Sequence, residues 1–136
     1  MPMRNAMRNA GNALFDAGSG TYPTLRYRAS GDADLLVINL DTTKAVADAV
    51  DAVSTFNPPD GEASWVGYQQ LPSAAGTVAK VAICDKDGNV RETGSVGVTG
   101  SGEEFELTSL TLATDIPVTF SAAPVVTQLE TYDPTP

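Results

Sequence analysis

The chain has 136 residues, 42% of them apolar, with 12 glycines and 9 prolines; this suits one domain with a modest core and argues against compositional disorder. A net charge of −9 opposes binding of phosphate backbones, and the absence of histidine removes the commonest general base, the commonest metal ligand and any Ser-His-Asp or Cys-His arrangement. A single cysteine, Cys84, cannot form an internal disulfide, as expected of a protein made in a reducing cytoplasm.

The first segment reads MPMRNAMRNAGNALFDAGSG. Met3, Met7, Ala10 and Leu14 recur at helical spacing, and Asn5, Asn9 and Asn12 form a second, polar stripe. The pattern predicts one short amphipathic helix over 3–17, which Gly18 and Gly20 stop. Such a helix is marginal alone and must pack on its own body or on a partner. Residues 1–28 carry four arginines against Asp16, whereas the remainder carries 16 acids against four bases. A basic head on an acidic body is a candidate docking arm. No apolar run follows Arg4 and Arg8, so a secretory signal is not expected. No stretch approaches the ~18 apolar residues of a membrane span.

In TLRYRA, Leu25 and Tyr27 alternate with Arg26 and Arg28, the mark of a half-buried strand. SGDAD signals a turn, and LLVINL reads as a buried strand, so 24–40 is expected to form an antiparallel pair. Residues 42–48 read as a helical turn or irregular loop, followed by a strand near 50–56. NPPDGEAS is a loop, because Pro58, Pro59 and Gly61 break any ladder. TVAKVAICD is apolar on both faces and is expected to be a central strand, with NVRETGSVGV as its partner. Phe105 and Leu107 alternate in FELTSLTL until Leu110 breaks the pattern, which predicts a kink near Ser109. Pro117 and Pro124 open two last short strands.

Together these make an all-β chain: an antiparallel β-sandwich or small barrel of about eight short strands with one N-terminal helix. The expected organisation is a helical arm at 1–20, a β-sandwich domain at 21–130 and a loose tail at 131–136.

CDKDGNVRETGSVG, residues 84–97, gathers the motifs with most chemical promise. Counted from Asp85 as an EF-hand loop, the sixth position is Val90 and the twelfth Val96, where glycine and glutamate are required. The stretch therefore reads as a hairpin around Asp-Gly. Asp85 beside Cys84 disfavours the thiolate, so Cys84 reads as a small buried residue. Glu103, Glu104 and Glu106 cluster along the chain without the facing arrangement that a glycosidase needs. The glycines of 94–102 do not match a phosphate-binding loop. No catalytic, metal or cofactor residue is assigned. Trp65 and Tyr68 are candidates for a surface aromatic contact with carbohydrate or protein.

The order of RNAGNALFDAG, TLRYR, AVSTFNPPDGEASW and VAICDKDGNVRETGSVGVTGSGEEFELTSLTL resembles a group of small structural proteins encoded among the virion genes of tailed bacteriophages. The likeness spans residues 5–128 and rests on the helix, the A-S-W segment, the D-x-x-G hairpin and the following G-S-V-G. It departs at 41–53, which is richer in Ala, Val and Asp. The resemblance implies a non-enzymatic virion protein without cofactors, assembled in the host bacterial cytoplasm. Such a protein would decorate or cement the capsid by bridging adjacent subunits. Its partner would be the major capsid protein or another virion protein, or a further copy of itself, with neither nucleic acid nor membrane involved. Met3, Arg4, Met7, Arg8, Leu14 and Phe15 are the expected partner contacts, because methionines adapt to a surface and arginines pair with its carboxylates. The alternatives are a head–tail joining or tail protein, or a carbohydrate- or receptor-binding module that uses Trp65 and Tyr68.

Overall fold

A computed structural model describes residues 2–51 and 53–127, without the side chains of 2–4 and 127. The expectations for the Met3 and Arg4 side chains and for the tail at 131–136 therefore lie outside the described residues. Helix α1 runs Pro2–Ala13 and ends in a 3-10 turn, Leu14–Asp16.

Strands β1 (Thr24–Arg28) and β2 (Asp34–Asn39) form the expected antiparallel pair. β6 (Lys80–Cys84) pairs with β1 on one side and with β7 (Val90–Gly94) on the other, which gives the order β2-β1-β6-β7. Register places apolar residues in two rows on one face: Ile38–Leu25–Ile83 and Leu36–Tyr27–Val81. All six are fully buried. The alternation in TLRYR explains the opposite face, where Arg26 and Arg28 both reach the Asp34 carboxylate at 2.8 and 2.6 Å. The two guanidiniums outweigh the effect of burial on Asp34 and hold its carboxyl below the usual range.

The remaining strands form shorter pairs. β3 (Val53–Thr55) joins β12 (Val125–Thr127), and β4 (Gln69–Gln70) joins β11 (Val118–Thr119). β5 (Gly76–Thr77) joins β10 (Thr111–Leu112). β8 (Val96–Val98) and β9 (Phe105–Leu107) run parallel, joined by 99–104. That connection is far shorter than the dozen or more residues a parallel crossover usually takes. The described residues thus form twelve strands rather than about eight, several of only two residues, and the four-stranded sheet is open. Residues 41–49 are irregular, with an isolated bridge between Val46 and Phe56, and β9 and β10 are interrupted at 108–110, where the kink was expected.

Aromatic side chains of the sheet and of the segments around these pairs share one core. Phe105 meets Tyr27 edge-on at 6.2 Å and Phe56 at 5.7 Å. Phe120 lies 5.1 Å from Trp65. Gly94 admits Phe105 to the sheet, since a Cβ there would overlap the ring.

Candidate functional site

Helix α1 meets the body through its polar stripe. The Arg8 guanidinium, 7% exposed, donates to both Glu92 oxygens at 2.8 and 3.2 Å, and its Nε donates to Asn12 Oδ1 at 3.0 Å. Asn12 Nδ2 donates to Ser54 Oγ at 2.7 Å. Asn9 Oδ1 accepts the Ala49 amide at 2.7 Å, and Asp16 Oδ1 accepts the Ala45 amide at 3.0 Å. Burial pushes the Asp16 carboxyl up, against the pull of the Ala45 amide and Lys86. Arg8 and Asn12 are four apart, so they share the face that meets β3 and β7.

The opposite face carries the apolar stripe outward. Ala6, Ala10 and Ala13 are exposed, Leu14 is 47% exposed, and Met7 is half-buried. Val50 stands exposed next to Ala49, where the chain touches the helix. The expected partner contacts thus divide. Leu14 faces out, whereas Arg8 is spent on Glu92 and Phe15 is 1% exposed within the core. For these two the expectation is corrected: the fold uses them internally. Sequence reasoning missed Glu92 and Ser54 as the docking partners of the helix. The available signal was Glu92 on the core-facing row of β7, opposite Ile83.

The hairpin at 84–97 is a structural clamp. Asp85, 1% exposed, accepts the amides of Asp87 and Asn89 on Oδ1 at 2.9 and 3.0 Å, and Arg91 Nε on Oδ2 at 2.8 Å. Burial alone would raise its pKa, but these donors outweigh it and hold the carboxyl below the usual range. The β6–β7 register skips Arg91, a bulge that leaves it free to reach Asp85. Gly88 has φ 83°, the left-handed turn position that Asp-Gly predicts. The tip is tied to the segment after the helix: Asp87 Oδ1 accepts the Ser19 and Gly20 amides at 3.0 and 3.3 Å, and the Lys86 amide donates to Ala17 O at 2.9 Å. Cys84 is fully buried, and burial pushes its thiol up despite Arg26, Arg28 and Thr24. A nucleophile needs the reverse.

Trp65 is 3% exposed, its indole N–H donates to Phe56 O and Asn57 O, and its ring packs on Tyr68 and Phe120. The expected surface aromatic contact is therefore corrected: Trp65 is a core anchor and offers no stacking platform. Tyr68 is half-buried and donates to Gln70 at 2.8 Å. Glu103, Glu104 and Glu106 line a cavity of about 220 Å³ together with Thr99, Thr119 and Ser121. Glu106 staples its own loop, accepting the amides of Gly100 and Gly102. Among the described residues no group of three or more His, Cys, Asp or Glu is placed to hold a metal ion. No described helix is long and apolar enough to cross a membrane.

Charge is also spent internally. Arg8, Arg26, Arg28, Lys44, Lys80 and Arg91 pair with acids of the same chain, and Lys86 Nζ donates to Thr42 O. No family model, curated protein or solved structure matches the chain.

Proposed function

We propose that this chain is a non-enzymatic structural protein of a tailed-phage virion, which decorates or cements the capsid by bridging adjacent subunits. The observation that carries the reading is the orientation of α1: polar side against the body, apolar side outward. A soluble body gains nothing by displaying Ala6, Ala10 and Leu14 in a row, whereas a docking face does. The resemblance of the helix, hairpin and G-S-V-G segments to phage virion proteins supplies the setting.

In this reading the open sheet and the shorter strand pairs are the two layers of a sandwich around the aromatic core, and α1 is an anchor carried on its side. The partner surface that fits is apolar, with lysines or arginines around it, because the bases among the described side chains are already engaged. Each contact is weak, and bridging makes it effectively strong. Immunogold labelling of particles from cells that carry the gene tests the proposal. Label spread over the heads is the expected result. Label confined to the neck or tail favours the joining or tail role, and unlabelled particles overturn the virion reading.

A further inference from the structure

Asp-Gly occurs twice in the chain, at 60–61 and at 87–88. In both pairs glycine offers no side chain to hinder attack of its amide nitrogen on the preceding carboxyl, so their local chemistry is the same. The fold treats them differently. At 87–88 both reacting groups are held: Asp87 Oδ1 accepts the amides of Ser19 and Gly20, and the Gly88 amide donates to Asp85 O at 3.0 Å. At 60–61 neither is. Asp60 is exposed, and its carboxyl takes no hydrogen bond among the described residues. Asp60 and Gly61 are the central residues of a turn closed by the Glu62 amide on Pro59 O at 2.9 Å. Around Gly61 there is open space, since an added Cβ would meet nothing within 4 Å.

We infer that Asp60-Gly61 is a site of spontaneous isoaspartate formation, and that the fold protects the chemically equivalent Asp87-Gly88. The Gly61 nitrogen attacks Asp60 Cγ in the protonated carboxyl form. An N–Cγ bond forms, the nitrogen loses its proton, and the carboxyl oxygen leaves as water. Water then opens the five-membered ring. Addition at Cγ restores aspartate, and addition at the main-chain carbonyl gives isoaspartate, with no net change in mass. The new linkage inserts one methylene into the main chain. It falls beside the Asp60 amide, which donates to Asn39 O at 3.1 Å, and so loosens the tie between this loop and the end of β2.

The test is to hold the full-length protein near neutral pH for days, native and in urea. Isoaspartate is then labelled with protein-isoaspartate methyltransferase and a radioactive methyl donor, and the label is mapped by peptide. In the native protein label at 60–61 exceeds that at 87–88 by about two- to tenfold, the slowing expected when one net hydrogen bond must first be broken. In urea the two sites label comparably. Asp60→Glu, which would need a six-membered ring, removes the 60–61 label without disturbing the fold. Native protein unlabelled at 60–61, native label as strong at 87–88, or label persisting at that peptide in Asp60→Glu overturns the inference.

Discussion

Arg8 on α1 and Glu92 on β7 lie 84 residues apart and form a two-pronged ion pair at 2.8 and 3.2 Å. With Asn12 on Ser54, it fastens the helix to β7 and β3 by polar contacts. Removing one member leaves the other facing a part-buried site without its partner. Arg8→Ala is expected to destabilise the protein by about 1–3 kcal/mol, below the cost of a fully buried pair because Glu92 is 30% exposed. Urea unfolding measures this. Arg8→Met with Glu92→Leu should recover much of the loss, since no charge is then stranded. Equal midpoints for Arg8→Ala and wild type would remove the pair from the stability account.

Asp85 makes the hairpin sensitive to acid. Its folded-state pKa is held below the ordinary aspartate value by the Asn89 and Asp87 amides and Arg91, which outweigh burial. A lowered pKa means that the stabilisation is fully present above the unfolded value of about 4 and is lost as pH falls through the folded value. Asp85→Asn keeps one acceptor but loses the pairing with Arg91, at a cost of about 1–3 kcal/mol at neutral pH. Its stability should fall less steeply below pH 4 than that of wild type. Parallel curves in the two proteins would place the acid sensitivity elsewhere.

Much of the sheet was legible because its signals are local. The alternation Leu25, Tyr27 against Arg26, Arg28 fixes which residues of β1 enter the core, and Asp-Gly marks the turn between β6 and β7. The helix shows the limit of such signals. Periodicity reports two stripes over 3–17 but not which one meets the body, and here buried partners on distant strands decide for the polar one. The side of Trp65 is hidden for the same reason: its loop is polar, yet Phe120 and the Phe56 and Asn57 carbonyls draw it inside. Two-residue strands such as β4 and β11 have no period of their own. Their pairing follows from long-range packing, as does the parallel β8–β9 pair.

Tyr27 is fully buried between Phe105 and Phe120, and its hydroxyl has no hydrogen-bond partner among the described residues. Tyr27→Phe removes that stranded polar group and keeps the ring. It is expected to leave stability unchanged or to raise it by about 1 kcal/mol. Burial also pushes the phenol well above its ordinary value. A raised value means that stability is full below the unfolded pKa, about 10, and falls as pH rises beyond it. Denaturant midpoints at neutral and strongly alkaline pH should diverge less in Tyr27→Phe than in wild type. A clear loss of stability in Tyr27→Phe at neutral pH would show that the hydroxyl is satisfied.

Gly94 lies under the Phe105 ring, and an added methyl group would overlap it. Gly94→Ala is expected to cost about 1–3 kcal/mol by overpacking. Pairing it with Phe105→Leu should cost less than the sum of the two changes, because the smaller side chain makes room for the methyl. Thermal unfolding of the four proteins in the cycle checks this, and strict additivity would show that the two residues do not press on each other.

The outer face of α1 separates stability from binding. Ala10 and Leu14 are exposed and belong to the stripe opposite Arg8 and Asn12. Ala10→Glu and Leu14→Ser remove apolar surface without touching the contacts to Glu92 and Ser54. Exposed substitutions of this kind stay within about 0.5 kcal/mol of the parent. If the face docks on a virion partner, both variants unfold like wild type yet are depleted from purified particles, the double variant most of all. Arg8→Ala gives a different pattern, with lower stability and with occupancy lost because the helix no longer holds its place on the body. Quantitative immunoblotting of particles, set beside urea midpoints for the same proteins, tells the two effects apart. Wild-type occupancy in the double variant would remove the helix face from the binding account, and lowered stability in Ala10→Glu would mean that this face is packed rather than displayed.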